Sequence, residues 1–538
     1  MNRSLKAALA ATLALIMALT AIPFSALPRF AAKAETEPEW TVPPRYNVDD
    51  YNKCVEFLEQ TDENENGLKN GEKLSSTYNP SNPETWGVGY HGRHFQWTEV
   101  NGDMRLWDVN ISNYNLYGSL DLSECTKLQH LSCDENNLTE LVVSGCTSVR
   151  SLYCSSNNLG ALDVSDCTGL TYLYCSSNNL GALNVSNNKE LFSLDCSNNK
   201  LEKLDVTKNT KLFELDCSSN NLTKLNVSDN TKLDRLDCSS NKLTELTVGN
   251  NIWLSDIDCS DNKLTALTEL EASDDTKPYY LNCSNNLITT LDVSNNSYLL
   301  YMYCSGNNLN ELSINAELRS LDCSNNNLTE LDLSSNTELS ELYCSGNNLA
   351  KLDLSSNTEL EWLYCCDNNL TELVLSNNPR WSYEHILAEG NGHIGYSMHH
   401  GDDSDDPMFS VIRNRIYACP MSGASFEGFY DESGALISEG EWSDEHEAYF
   451  YEYKYFYIEE RQTTGGTIIA RFSDDEAIPG DVDGDGTISV LDALITLRIA
   501  MQINDGSGMN NGSGDMDGTG DISVVDALMI MRVALGIS

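Results

Sequence analysis

Between residues 116 and 378 the chain repeats itself every 21 residues, as in LTYLYCSSNNLGALNVSNNKE (170–190) and LSELYCSGNNLAKLDLSSNTE (339–359). A unit this short cannot enclose a core of its own. It buries its apolar side only against the next unit, so the segment must stack as a solenoid. The unit has two halves, L-x-x-L-x-C-x-x-N-x and L-x-x-L-x-[VL]-x-x-N-x-x. Leucines three and then two apart predict a short strand in each half, with alternate side chains inward. The asparagine at each bend is expected to bond the turning backbone and to take left-handed geometry. A three-residue excess around Ala272-Ser273-Asp274-Asp275 and a two-residue deficit between Cys304 and Cys323 interrupt the period. Such irregularities are slack that solenoids absorb on one face, more often than they are binding edges.

The chain holds 18 cysteines, and their spacing argues against a disulfide framework. Twelve of them, from Cys133 and Cys154 through to Cys344 and Cys365, fall mostly 21 residues apart. Each takes the place of a leucine in an L-x-x-L-x-L strand, which predicts stacked core thiols acting as small apolar groups. Without a C-x-x-C pair or a neighbouring histidine, zinc is not expected. Together with the leucine and asparagine pattern, these features make residues 111–380 resemble a bacterial leucine-rich repeat array of the short 21-residue class. The resemblance carries fold, not function.

The residue before each ladder cysteine should form an outward column: Ser132, Tyr153, Tyr174, Asp195, Asp216, Asp237, Asp258, Asn282, Tyr303, Asp322, Tyr343, Tyr364. With coils about 4.8 Å apart, four aspartates in register repel by roughly 1 kcal/mol per neighbouring pair even at water's dielectric. Such a column suits a cation, a basic protein patch or a sugar held between tyrosines. The plainer expectation is a solvated consensus that drifts between Asp and Tyr.

Two acidic loops lie near the C-terminus, Asp481-Val482-Asp483-Gly484-Asp485-Gly486 and, 34 residues later, Asp515-Met516-Asp517-Gly518-Thr519-Gly520. Each has a carboxylate at position 12, Asp492 or Asp526, followed by an apolar helix. Calcium needs six to eight oxygens around a sharp turn, which this pattern supplies. The helices repeat as well, Leu491-Asp492-Ala493-Leu494-Ile495-Thr496-Leu497-Arg498 against Val525-Asp526-Ala527-Leu528-Met529-Ile530-Met531-Arg532. On these residues 478–538 resemble a dockerin, the module that plugs proteins into cohesins on the scaffolds of extracellular polysaccharide-degrading complexes (cellulosomes). The resemblance implies that Asp481, Asp483, Asp485, Ser489 and Asp492 ligate one Ca²⁺ through side chains and Thr487 through its carbonyl. It implies the same of Asp515, Asp517, Thr519, Ser523 and Asp526, with the carbonyl of Asp521, for a second Ca²⁺. Thr519 departs from the usual Asp or Asn and implies a weaker site. Loop positions 10 and 11 are Val490-Leu491 and Val524-Val525 where small hydroxyl residues are commoner. The cohesin contact, with Arg498 and Arg532 on the helices, is therefore expected to be apolar.

At the other end Arg3 and Lys6 precede an apolar run from Ala7 to Ile22 and the small residues Ala32-Lys33-Ala34. This reads as a secretory signal peptide over 1–34, not a membrane anchor. The formal charge of −48, from 33 basic against 81 acidic residues, disfavours nucleic acid and anionic lipid as partners. Abundant unpaired cysteine in an exported chain suits an anaerobic bacterium.

The remaining segments flank the array. Residues 35–110 are expected to cap its exposed end, with a helix near Val48–Gln60 started by Asn47. Asp62–Gly67 imitates a calcium loop but has Lys73 at position 12; His91 and His94 read as surface residues. Over 381–473 alternation in MFSVIRNRIYACP (408–420) and EAYFYEYKYFYIEE (447–460) predicts strands. The run Tyr417–Tyr430 with Ile469-Ala470-Arg471-Phe472 resembles a small β-repeat of bacterial surface proteins. His399-His400 beside Asp402–Asp406 read as a loop rather than a metal site.

The expected fold class is mainly β: a leucine-rich repeat solenoid with an N-terminal cap, a small β domain and an α-helical calcium-binding dockerin. No catalytic constellation is visible. The favoured function is an exported, non-catalytic binding component attached to a cohesin, with a glycan or protein ligand on the array. The alternatives are a polysaccharide hydrolase of the same complex and a cell-surface adhesin.

Overall fold

The computed structural model describes residues 40–61, 67–89, 92–249, 251–267, 278–375, 385–389, 392–401, 411–420, 426–430, 433–438, 441–443, 448–455, 467–472, 493, 496 and 527–531. Among these the chain is mostly β. One ribbon of three-residue strands runs along the array, each paired in parallel with the next coil. Tyr172–Tyr174 pairs with Ser193–Asp195, that with Glu214–Asp216, then Arg235–Asp237 and Asp256–Asp258, always in register. The central residue of each ribbon strand is buried and the last half-buried, while the first ranges from exposed at Arg235 to buried at the small Ser193.

Inside, leucines, valines and thiols stack in rows. Leu173, Cys175, Leu180 and Leu170 are fully buried, as are all twelve ladder cysteines. Seventeen of the cysteines are buried thiols that form no disulfide. Three that the ladder does not include, Cys125, Cys146 and Cys167, lie in a second row that Asn188, Asn209 and Asn230 continue. Cys146 donates to the Leu122 carbonyl at 2.9 Å, and Asn188 donates to the Val164 carbonyl at 2.9 Å. Thiol and amide thus close the same step between coils.

The asparagine expected at the bend does its bonding there but not with left-handed backbone. Positive φ falls on the residue just before it, at Glu135, Ser156, Ser177, Asn198, Ser219, Ser240 and their counterparts. The asparagine side chain is buried and fixed by four bonds, so the turn's strain moves to its exposed neighbour. At Gly306 and Gly346, the same bend position, a β-carbon would push on the side-chain amide of Asn285 or Asn325 in the coil below, which the absence of a side chain avoids.

The strand expected in every second half forms only in places. Lys224–Asn226 pairs with Glu245–Thr247, Thr290–Asp292 with Glu311–Ser313, and Lys351–Asp353 with Glu372–Val374. Around Leu162 and Leu183 there is no ladder; side-chain amides of Asn188 and Asn209 take the Val164 and Val185 carbonyls there, as Asn251 takes Val227 beside the Lys224–Asn226 strand.

At the N-terminal end helix α1 (Val48–Leu58) starts at Asn47, whose side chain accepts from the Asp50 N–H. It buries Tyr51, Val55, Phe57 and Leu58 with Trp86 and Phe95 of the following loop and hairpin. Asp50 is buried and receives Arg105 Nε at 2.7 Å, Arg105 Nη2 at 3.0 Å and the Leu106 N–H at 3.0 Å. The hairpin Phe95–Val100/Asp103–Asn110 joins the ribbon directly, Asp103–Asn110 pairing in parallel with His130–Ser132. His94, expected on the surface, is buried: Nδ1 bonds the Asn110 carbonyl at 2.7 Å and the ring packs edge-on against Tyr114. Burial lowers its pKa. The imidazole plugs the seam between hairpin and first coil, which its polar character in sequence conceals. Asp62–Asn66 and His91 lie outside the described residues.

At the far end the array's strands continue into the small β segment. His385–Glu389 runs antiparallel to Glu372–Val374, and Gly392–Gly401 meets Trp362–Tyr364 with Tyr364 opposite Ser397. Val411–Pro420 and Ala448–Tyr455 extend the ribbon, which ends at Glu441–Ser443. Thr467–Phe472 pairs in parallel with His385–Glu389 and buries Ile468, Ala470 and Phe472 with Phe429. No described helix is long and apolar enough to cross a membrane.

Candidate functional site: the sheet ribbon and the calcium-loop module

Parallel, in-register pairing turns the residue before each ladder cysteine into a straight surface column. Tyr174 stands beside Asp195, Asp195 beside Asp216, then Asp237 and Asp258. The first residue of each strand makes a second column on the same side, with Glu214, Arg235, Asp256 and Tyr280 in succession. Between these columns lies a trough of about 470 Å³ running from Tyr174 to Tyr280.

The aspartates are not bare. Asp216 Oδ1 accepts from the Ser218 N–H at 2.9 Å and from its hydroxyl at 2.7 Å. Asp195, Asp237 and Asp258 hold Ser197, Ser239 and Ser260 alike. Each carboxylate therefore caps the turn that leaves its own strand, a role that offsets part of the repulsion expected down the column. The recurring Asp-Cys-Ser triplet was the signal for it, hidden by reading Asp only as a surface charge. Burial is the main force raising the Asp216 and Asp237 pKa values, the Ser bonds oppose it, and neighbouring aspartates add to it. Asp256 is also raised by burial, against the pull of Arg235.

Aromatic rings bracket the acidic stretch. Tyr153 and Tyr174 lie 5.1 Å apart between centroids, and Tyr280 and Tyr303 5.5 Å. Phe192 and Phe213 stack at 5.0 Å beside it, with Phe192 38% exposed. Farther along Tyr343 and Tyr364 stack at 5.0 Å, and Trp362 begins the strand Trp362–Tyr364.

In the C-terminal module the described positions are helical, at 493, 496 and 527–531. Ala493 and Thr496 are buried, as are Ala527 and Ile530, each 34 residues on. The two repeats thus present the same face inward. The twelve proposed calcium positions (Asp481, Asp483, Asp485, Thr487, Ser489, Asp492, Asp515, Asp517, Thr519, Asp521, Ser523 and Asp526) lie outside the described residues. So do Val490, Leu491, Arg498, Val524, Val525 and Arg532. As a donor set, the aspartate carboxylates, hydroxyls and carbonyls of these loops are hard oxygens and fit calcium. Among the described residues no group of three or more His, Cys, Asp or Glu side chains could hold a metal.

Residues 479–533 match the family model of the Dockerin type I domain. No curated protein sequence matches the chain. Among solved structures, the functional domain of InlJ from Listeria monocytogenes, which includes a cysteine ladder, is 27% identical over 68% of this chain and 90% of that one, at a TM-score of 0.42. YopM from Yersinia enterocolitica is 26% identical over 50% of this chain and 61% of its own, also at 0.42. The leucine-rich repeat protein LIC12759 of Leptospira interrogans is 21% identical over 50% and 80%, again at 0.42. The chain is a leucine-rich repeat protein that carries a type I dockerin. The dockerin brings it into a cellulosome-type, cohesin-binding context.

Proposed function

We propose that this protein is an exported, non-catalytic component of a cellulosome-like assembly. Its dockerin attaches it to a cohesin of the scaffold, and its solenoid presents the ribbon face as a recognition surface in the setting of polysaccharide breakdown. The observation that carries the reading is the type I dockerin match over 479–533, laid on two acidic loops 34 residues apart. Calcium, when bound, supplies the charge that pulls each loop into a turn and docks its helix. The carboxylates of Asp481, Asp483, Asp485 and Asp492, and of Asp515, Asp517 and Asp526, would hold the two ions. A module of about 60 residues has little core to stabilise it otherwise. The resulting pair of helices would offer Val490, Leu491, Val524 and Val525 to the cohesin, edged by Arg498 and Arg532.

The test is calorimetric titration of the full chain with a type I cohesin. Binding in millimolar calcium is expected to vanish with EDTA and in the Asp481→Ala/Asp515→Ala double variant. Affinity unchanged in that variant would overturn the proposal.

A further inference from the structure

Among the described residues, the outer side of the ribbon between the coils of Tyr174 and Tyr280 faces solvent as a trough with a one-signed floor. Asp195, Glu214, Asp216, Asp237, Asp256 and Asp258 line it against a single cation, Arg235. The caps to serine use one oxygen of Asp216 and of Asp237; the second accepts no hydrogen bond from the described residues. Tyrosine pairs close both ends, and the Phe192–Phe213 stack lies along the flank. Five coil steps at about 4.8 Å give the trough a length of roughly 24 Å, enough for about seven residues of extended chain.

Charge and shape narrow the occupant. A metal ion needs converging ligands, and these carboxylates, spread over four coils in two straight columns, form no group of three that could hold one. A second copy of this chain, at a formal −48, brings more negative charge to a negative face. A neutral sugar could stack on tyrosine but would leave six carboxylates uncompensated. A guanidinium or ammonium group reaches each free oxygen with a charge-assisted bond, and its flanking side chains meet aromatic rings at either end. We infer that this trough binds an extended cationic segment of another protein, its arginines or lysines over the carboxylate floor and its apolar or aromatic residues on the tyrosine pairs. This rests on the reading of the solenoid as the recognition part of the molecule and names the chemistry of its ligand.

The experiment uses the full chain and a fluorescein-labelled heptapeptide with arginine at alternate positions between two terminal tyrosines, followed by anisotropy. Asp216→Asn/Asp237→Asn tests the floor. Asparagine keeps the cap, because Asn282 occupies the same place in its coil and accepts from the Ser284 N–H at 3.1 Å. This variant is expected to weaken binding about tenfold, and Arg235→Ser to strengthen it. A charge-matched control, Asp205→Asn/Asp292→Asn, alters equivalent aspartate caps, which accept from the Thr207 and Ser294 N–H groups in the second halves of coils, and is expected to shift affinity by less than about twofold. The proposal falls if the control weakens binding as much as the trough variant, which would mean diffuse attraction to an acidic protein. It also falls if a glutamine-for-arginine peptide binds equally well, or if cellohexaose binds in place of the peptide. Cohesin binding, measured on the same samples, reports separately on the dockerin.

Discussion

Asn220 shows what one side chain does in each coil. Its Nδ2 donates to the Cys196 carbonyl of the preceding coil at 3.0 Å and to Cys217 and Ser218 carbonyls in its own. Its Oδ1 accepts from the Leu201 N–H at 2.9 Å. All four partners are backbone groups that the bend removes from the strand ladder, and buried polar groups left unpaired are expensive. Asn220→Ala is expected to destabilise the protein by about 2–4 kcal/mol, read as a lower denaturant midpoint. The thiols beside it behave differently. Burial pushes Cys146 and Cys167 of the second row and Cys283 of the ladder up to about 12, and raises ladder thiols such as Cys154 and Cys175 well above the ordinary value. In the unfolded chain they titrate near the ordinary thiol value of about 8.5. Stability from this source is therefore full below that value and declines as pH rises through the window up to the folded pKa values, because the unfolded chain ionises first. Two results are expected: a melting temperature that drops steeply above pH 9, and no alkylation of the buried thiols by iodoacetamide at pH 8 until guanidinium is added. Rapid alkylation of the native protein would contradict the stacked-thiol core.

At the scale of the element, the cap and the array meet through a few polar anchors. Asn70 bonds the Phe57 and Tyr117 carbonyls and accepts from the Tyr117 N–H, while Gln60 does the same at Ser119. Asp50 ties α1 to the hairpin through Arg105 and the Leu106 N–H. Asp50→Ala leaves a half-desolvated guanidinium and a buried N–H without partners. A cost of about 3–5 kcal/mol is expected, visible as a lower unfolding midpoint, with Asp50→Asn intermediate. Exposed pairs such as Lys351–Glu372 join neighbouring coils but are worth far less in water. Sequence located this helix and its Asn47 start because N-cap chemistry is local. It missed the burial of His94, because that depends on a hairpin and a coil meeting from different parts of the chain.

For the whole molecule, two kinds of stability are joined in one chain. The solenoid rests on side-chain stacking and interior hydrogen bonds between coils, whereas the tail is proposed to need calcium. EDTA is therefore expected to remove helical signal at 222 nm without moving the unfolding midpoint of the solenoid. A solenoid that melts earlier in EDTA would place a calcium site outside the dockerin.

What the sequence determined by itself was whatever repeats or stays local: the 21-residue period, the inward leucines and thiols, the strand of the first half and the paired acidic loops. These are legible because a stacked coil reads its neighbour in fixed register, so one unit describes them all. Only the folded coil showed that left-handed geometry falls one residue before each bend asparagine. Tertiary structure also showed that His385–Glu389 and Gly392–Gly401 pair onto the two sheets of the array, and that tyrosine pairs bracket an acidic trough. The sheet extension and the trough depend on pairings between separate strands, where packing and hydrogen-bond supply, not local preference, choose the outcome.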